Sequence, residues 1–370
     1  MTTVNETLRD ESIAHAVSLD QYKLGVVRRI IALLNRSDAN LTAALAEALE
    51  RMPAGSFTIE RLEGLLDEVR SINEAAYSQV LEALQSELRD LAGYEIQWQT
   101  DLFTTTIPEP VLIRFPIISI STEQIYAAAM ARPFQGRLLR NWGKEIAADR
   151  MAKVRNAVRT GYLEGKTTDQ IVRSIRGTRA AGYADGFLER PRRDLASVVR
   201  TAISHTAAVA RENFNTANAG IIESEDWTST LDNKTSAPCR IRDKLPYAVS
   251  THKPIGHKVP WLEGPGRIHF NCRSTSTPRT KSWRDLGIPI DEMSLGQRAS
   301  MDGQVPADTN YAEWISRQSS ERQEQVLGPV RAKMLRDGMS MEEFYSPTGA
   351  FLTLEQLRER DIKTFAKMAA

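Results

Sequence analysis

Cys239, His252, His257, His269 and Cys272 fall within thirty-four consecutive residues of a 370-residue chain that contains 2 Cys and 5 His in all. Thiolate and imidazole are the ligands zinc takes in tetrahedral sites, and His269-x-x-Cys272 has the spacing that lets one turn present two of them. Cys239 is a distant third ligand and His257 or His252 a fourth, so Cys239, His257, His269 and Cys272 form the candidate metal set. Plain packing of two small buried thiols, with the histidines in surface loops and no cofactor, is the first expectation. Structural zinc comes second, and a disulfide, disfavoured in a reducing compartment, third. In all three the sulfurs lie close together, because each cysteine belongs to one half of a small module.

Catalytic templates fit these residues poorly. A zinc deaminase needs His-x-Glu and then Pro-Cys-x-x-Cys, whereas Pro238-Cys239-Arg-Ile-Arg242 supplies only a beginning and no His-x-Glu occurs. His269 and Asn271 in a basic setting outline a metal-dependent nuclease, but no further histidine follows. Glu223-Ser-Glu225 and Ser274-Thr-Ser276 resemble the paired glutamates and serine strand of ADP-ribosyltransferases in reversed order, which reads as chance. Walker, Gly-x-Gly-x-x-Gly, Gly-x-Ser-x-Gly and His-Glu-x-x-His motifs do not occur. The expectation is therefore a protein without enzymatic activity, the alternative being a metal-dependent nuclease or a toxin-like transferase. His205 and the tryptophans Trp227, Trp261, Trp283 and Trp314 read as core or interface residues.

The elements that must position these residues are mostly helical. Apolar residues recur at three- and four-residue steps from Leu62 to Leu91, and a band at Ile30, Ile31, Leu33 and Leu34 precedes a break at Asn35-Arg-Ser-Asp, where Asp38 can cap the next helix. Pro53-Ala-Gly55 ends that helix. Capping boxes at Ser121-Thr-Glu-Gln124, Thr167-Thr-Asp-Gln170, Ser340-Met-Glu-Glu343 and Thr353-Leu-Glu-Gln356 mark further helix starts. Ala196 to Ala219 forms another helix, opened by Arg200 and ended by Gly220, and Tyr311–Gly328 is also helical. Alternation at Asp226-Trp-Thr-Ser-Thr-Leu231, followed by turn formers, indicates a small β module. The fold class is α+β, predominantly helical: an N-terminal helical bundle or hairpin (1–105), a Pro-rich linker with extended pieces (106–120), a basic helical region (121–220), a small β/loop-rich Cys/His module (221–284) and a C-terminal helical tail (285–370).

Composition bounds the class. With 41% apolar and 26% charged residues the chain can bury a sizeable interior. The stretch from Val111 to Ile120 is about half a membrane span and holds Arg114 and Pro116, so it reads as strand or buried turn, with no membrane segment. Acidic residues near Met1 stand where a secretory signal needs basic ones, so no export signal is expected. The formal net charge of +1 hides polarity: residues 1–130 carry −9, 131–212 +9, 213–284 +5 and 285–370 −4. The basic middle can meet phosphate or the acidic surface of a neighbouring protein.

Three stretches resemble one family. Arg200-Thr201 with the alanine-rich helix to Arg211, then Trp227-x-x-x-Leu-Asp232-x-Lys-Thr235-Ser-x-x-Cys239-Arg240, then Pro265-x-x-x-His269-x-Asn271-Cys272-Arg273, look like the Mu F-like phage minor head proteins. Tyr311-x-x-Trp314-x-x-x-Gln318, Gln325-Val-Leu-Gly328 and Leu352-Thr-Leu-x-x-Leu357-Arg are similar to the tail of many members, so the resemblance covers about 130–360. Ser274 stands where many members have a third cysteine, and Asp243-Lys244 replaces their Asp-Gly. The resemblance implies a low-copy virion component acting in head morphogenesis. It would be assembled in the host cytoplasm and located in the phage capsid interior, portal-associated, with portal and capsid proteins as partners. It would take part in DNA packaging through DNA-binding contacts to the phosphates of packaged double-stranded DNA. Arg200, Trp227, Asp232, Arg240, Asn271 and Arg273 are then structural motif residues.

Overall fold

The computed structural model describes residues 3–51, 62–64, 66–288, 297–300, 303–306, 309–353 and 356. The fold is α+β and predominantly helical, with a three-stranded antiparallel sheet. No helix among the described residues is long and apolar enough to cross a membrane. The chain forms two compact units, one from Met1–Asp20, Ala92–Ile125 and Ala207–Ala370, the other from Gln21–Leu91 and Tyr126–Thr206. Both are discontinuous in sequence, and each combines parts of residues 1–105 with parts of residues 121–220.

In the second unit, helix α1 (Val4–Glu50) and helix α2 (Asp67–Thr106) contribute Leu41, Leu45, Leu49 and Val69 to a core shared with Val154 and Val158 of α5 (Leu139–Leu163) and Ile171 and Ile175 of α6 (Thr168–Arg176). Helix α5 approaches α2 so closely that a Cβ on Gly143 would stand 2.5 Å from Leu81 Cδ1, so a larger residue there would displace that side chain. The expected break at Asn35-Arg-Ser-Asp38 does not occur, since α1 runs through it. Asp38 sits on the buried stripe between Leu34 and Leu41 rather than capping a helix end, and its carboxylate is paired with Arg150 of α5 and Arg192 of α7 (Glu189–Ala217). These pairings remove the local competition by which Asn, Ser and Asp usually interrupt helices.

Helix α7 begins at Glu189, earlier than expected, because Pro191 lies in its first turn, where a missing N–H costs nothing. Arg200 is therefore interior to the helix instead of opening it. The capping boxes at Thr167 and Ser340 form with both reciprocal bonds, and the backbone-to-side-chain bonds of those at Ser121 and Thr353 are also made. Gly177, at φ +87°, ends α6.

The first unit holds the sheet. Strand β1 (Ile222–Thr228) is central, with β2 (Pro246–Ala248) on one edge and β3 (Thr275–Thr280) on the other. Trp227 stands opposite Ser276, and Glu225 opposite both Tyr247 and Pro278. The expected linker contains a short helix, α3 (Glu109–Arg114), because Pro108 precedes its first turn without breaking it. Past it, the Asn218 carboxamide holds the Ile118 backbone through Ile118 N–H (2.8 Å) and C=O (2.9 Å), standing in for a strand partner. Helix α4 (Thr122–Ala131) follows the Ser121 capping box. The expected helical tail includes a β4 (Gln297–Ser300) and β5 (Gly303–Pro306) hairpin before the short helices α9 (Tyr311–Ser316), α10 (Ser320–Leu327) and α11 (Pro329–Arg336). Pro53-Ala-Gly55, Leu354 and Leu357 lie outside the described residues.

Arg150 is 1% exposed, so loss of its counter-ion strands a buried guanidinium. Asp38→Asn is expected to lower stability by roughly 3–5 kcal/mol in chemical denaturation. Loss of much less than 1 kcal/mol would mean that Arg150 and Arg192 find other partners.

Candidate functional site

Strand β1 runs into the loop that carries Asp232 and then into the short helix α8 (Ala237–Arg240), while the chain entering β3 carries His269 to Arg273. Pairing of β1 with β3 therefore brings the two halves of the Cys/His segment together. Cys239 is in α8, its amide bonded to Ser236 O at 3.0 Å. His269 and Cys272 bracket a turn closed by Cys272 N–H to His269 O at 3.2 Å, in which Asn271 takes the left-handed conformation (φ +57°) that asparagine tolerates best among non-glycine residues. The cysteines belong to a cluster with Trp227, Tyr247 and Trp261.

The sulfurs of Cys239 and Cys272 are 3.7 Å apart and unbonded. His269 Nε2 lies 3.5 Å from Cys239 Sγ and 2.8 Å from Ser236 Oγ. One donor atom from each of Cys239, His269 and Cys272 lies within 4.8 Å of the others, so these three could hold a metal ion. His257 does not join them: its Nε2 bonds to Pro246 O at 2.9 Å and its Nδ1 accepts Val259 N–H at 3.3 Å. His252 stacks on Trp261, with ring centroids 4.6 Å apart, and its Nε2 is 3.6 Å from a Glu225 carboxylate oxygen. The four-residue set expected from spacing thus reduces to three, because both loop histidines are engaged elsewhere. Ser236, not among the candidate ligands, stands beside His269; its signal was its place as the residue preceding a helix, three before Cys239.

The three groups share protons unevenly. Hydrogen bonding from the Cys239 thiol, helped by His269 and the Ser274 amide, holds Cys272 well below the ordinary thiol range despite burial. The same Cys239–Cys272 bond, with burial, pushes Cys239 up. His269 is raised chiefly by its hydrogen bond to Cys272. The arrangement favours negative charge on Cys272 beside the imidazole.

The resemblance residues of this unit converge around Asp232. Its carboxylate accepts Arg273 Nη1 and Nη2 at 2.6 and 2.8 Å, Lys234 N–H at 3.0 Å and the Thr235 hydroxyl at 3.1 Å. Its carbonyl accepts the Tyr311 hydroxyl at 2.9 Å, and Arg240 donates to Thr235 O (2.7 Å) and Val326 O (3.1 Å). Asp232 and Arg240 thereby tie the Cys/His module to α9 and α10. Trp227 is fully buried; Arg200 lies in the other unit and is half-buried.

Glu225 and Ser276 share a sheet face near Arg211, whose Nε is 3.2 Å from Ser276 Oγ. Burial lowers the Arg211 guanidinium, opposed by Glu95, Glu225 and Glu212. Glu225 and Ser276 are 0% and 2% exposed, a polar core without access for a substrate. In the second unit a cleft of about 600 Å³ is lined mainly by apolar parts of Leu66, Tyr77, Leu81 and Met151.

Burial raises the Asp232 carboxyl, but Arg273 and the other donors outweigh it and hold the group below its usual value. A depressed carboxyl contributes stability above the unfolded carboxylate range and loses it as pH falls through the folded value. The stability difference between the native chain and Asp232→Asn, followed by urea denaturation, should be largest near neutrality and shrink below about pH 4. A constant difference would remove the ion pair from the account.

Compared with protein-family models, curated proteins and solved structures, the chain has no significant match.

Proposed function

We propose that the chain is a phage minor head protein of the Mu F-like type, a low-copy virion component without enzymatic activity that acts in head morphogenesis inside the capsid near the portal. The observation that carries this reading is the convergence around Asp232: motif residues separated by up to 86 positions are joined by hydrogen bonds into one clamp. Asp232, Arg240 and Arg273, the charged motif residues of the module, serve as struts, which suits a scaffold positioned among portal and capsid proteins. The metal-dependent nuclease and the transferase remain the competing class. His269 is engaged by Ser236 and Cys239, with Cys272 close by, and Glu225 is sealed in the core, so neither is arranged around a substrate.

Contact with packaged DNA is part of the proposal, with a smaller contribution from the basic segment than its charge suggests. Arg150 and Arg211 are buried, and Arg137, Lys153, Arg155, Lys166 and Arg192 are paired with carboxylates. Arg140, Lys144, Arg159, Arg173, Arg179 and Arg190 are exposed on the second unit and can meet phosphates. Phosphate contacts alone bind without reading sequence.

Mass spectrometry of purified particles from the phage that encodes the chain should find it at a few copies each, and its absence would overturn the assignment. Purified protein incubated with plasmid and a divalent metal should leave the DNA intact; nicking abolished by His269→Ala would establish the nuclease instead. Filter binding should show affinity for duplex DNA that falls about 500-fold between 50 and 200 mM salt if roughly five phosphates are neutralised. No affinity at low salt would assign the basic surface to a protein partner.

A further inference from the structure

We propose that Cys239, His269 and Cys272 bind a zinc ion through three protein ligands, with a fourth position open beside Ser236. A tetrahedral zinc ion with Zn–S of about 2.3 Å and Zn–N of about 2.0–2.1 Å sets two sulfur ligands about 3.8 Å apart and a sulfur and nitrogen about 3.6 Å apart. The observed separations are 3.7 and 3.5 Å. Two thiols packed without a metal would also rest near that S–S distance, so the imidazole decides between the two states. His269 Nδ1 lies 2.9 Å from Phe270 O. A carbonyl only accepts, so Nδ1 carries the proton, and once the ring is neutral Nε2, 2.8 Å from Ser236 Oγ and 3.5 Å from Cys239 Sγ, is the nitrogen left to ligate. This is the outer hydrogen bond that orients metal-ligating histidines. The Ser274 amide likewise donates to Cys272.

Burial supports the same conclusion. Cys239 and Cys272 are 2% and 1% exposed, and the segment between them is rich in turns and short of regular elements. Such a segment gains much of its order from a metal, because ligand binding and folding become one equilibrium. Zinc would join α8 to the His269–Cys272 turn, linking the chain leaving β1 to the chain entering β3. Ser236 Oγ, now bonded to Nε2, would be released on binding and stand next to the fourth position, which the hydroxyl or a water molecule fills. The ligand set excludes His257 and His252, whose rings serve the backbone and Trp261. The inference stands apart from the proposed role in phage heads.

Elemental analysis of the full-length chain, purified from zinc-supplemented cultures, tests it. About one zinc per chain is expected, lost on chelation together with the protease resistance of residues 221–280. Replacement by cobalt should give the charge-transfer absorption of thiolate ligation and the intense visible bands of tetrahedral Co²⁺. Cys272→Ser and His269→Ala should lose the metal; because either change also weakens the fold, His269→Cys is the informative variant, retaining the metal with stronger thiolate absorption. His257→Ala and His252→Ala should retain it fully. The proposal is overturned by a chain that takes up no zinc even on reconstitution, by undiminished zinc in Cys272→Ser, by loss of zinc in His257→Ala, or by a Cys239–Cys272 disulfide in protein trapped by rapid alkylation.

Discussion

Strand β1 is hydrogen-bonded on both edges, and its pairing with β3 joins residues some fifty positions apart, Trp227 to Ser276 and Asp226 to Thr277. Each contact at the Cys/His site depends on that register. Cys239 follows β1 by eleven residues and Cys272 precedes β3 by three, so only the paired strands place the sulfurs within 3.7 Å of each other. A slip of one residue would turn Trp227 away from Tyr247 and Trp261 and give up a large buried apolar contact area. The full burial of Trp227 against Tyr247 and Trp261 thus specifies the register, and the register specifies the site.

Both units use buried charge to specify how their elements meet. In one, Asp38 joins α1 to α5 and α7 through Arg150 and Arg192. In the other, Glu212 on α7 is paired with Arg267, and the half-buried Asp232 with Arg273. Buried ion pairs add little net stability over apolar residues of similar volume, because desolvation offsets their attraction. Their cost when mismatched is large, and this favours one arrangement of helices that apolar stripes alone could match in several ways.

The same reasoning bears on the motif residues. A bidentate arginine–carboxylate pair fixes direction as well as distance. Asp232 and Arg273 therefore hold the loop after β1 at a set angle to the loop before β3, and Arg240, lying over the Tyr311 ring, extends that constraint to the C-terminal helices. Residue types that from spacing alone could belong to a catalytic loop here make the connection between a small sheet and the helices that follow it.

Local rules settled much of this chain. The capping boxes at Ser121, Thr167, Ser340 and Thr353, the long amphipathic helices, the small β module and the closeness of Cys239 to Cys272 were legible, because each depends on hydrogen bonds, periodicity or chain length over a few residues to a few tens of residues. The tertiary structure decided the rest. Asn35-Arg-Ser-Asp38 reads as a break until Arg150 and Arg192, more than a hundred residues away, supply the charge that lets Asp38 stay in a buried helical stripe. Cys and His spacing offered four ligands, but the strand β2 edge captured His257 through Pro246 O, and the Trp261 face captured His252. Sequence determines which groups are available for such partnerships. Which of the available partners meet is decided by long-range packing, whose energies are comparable to the local preferences they override.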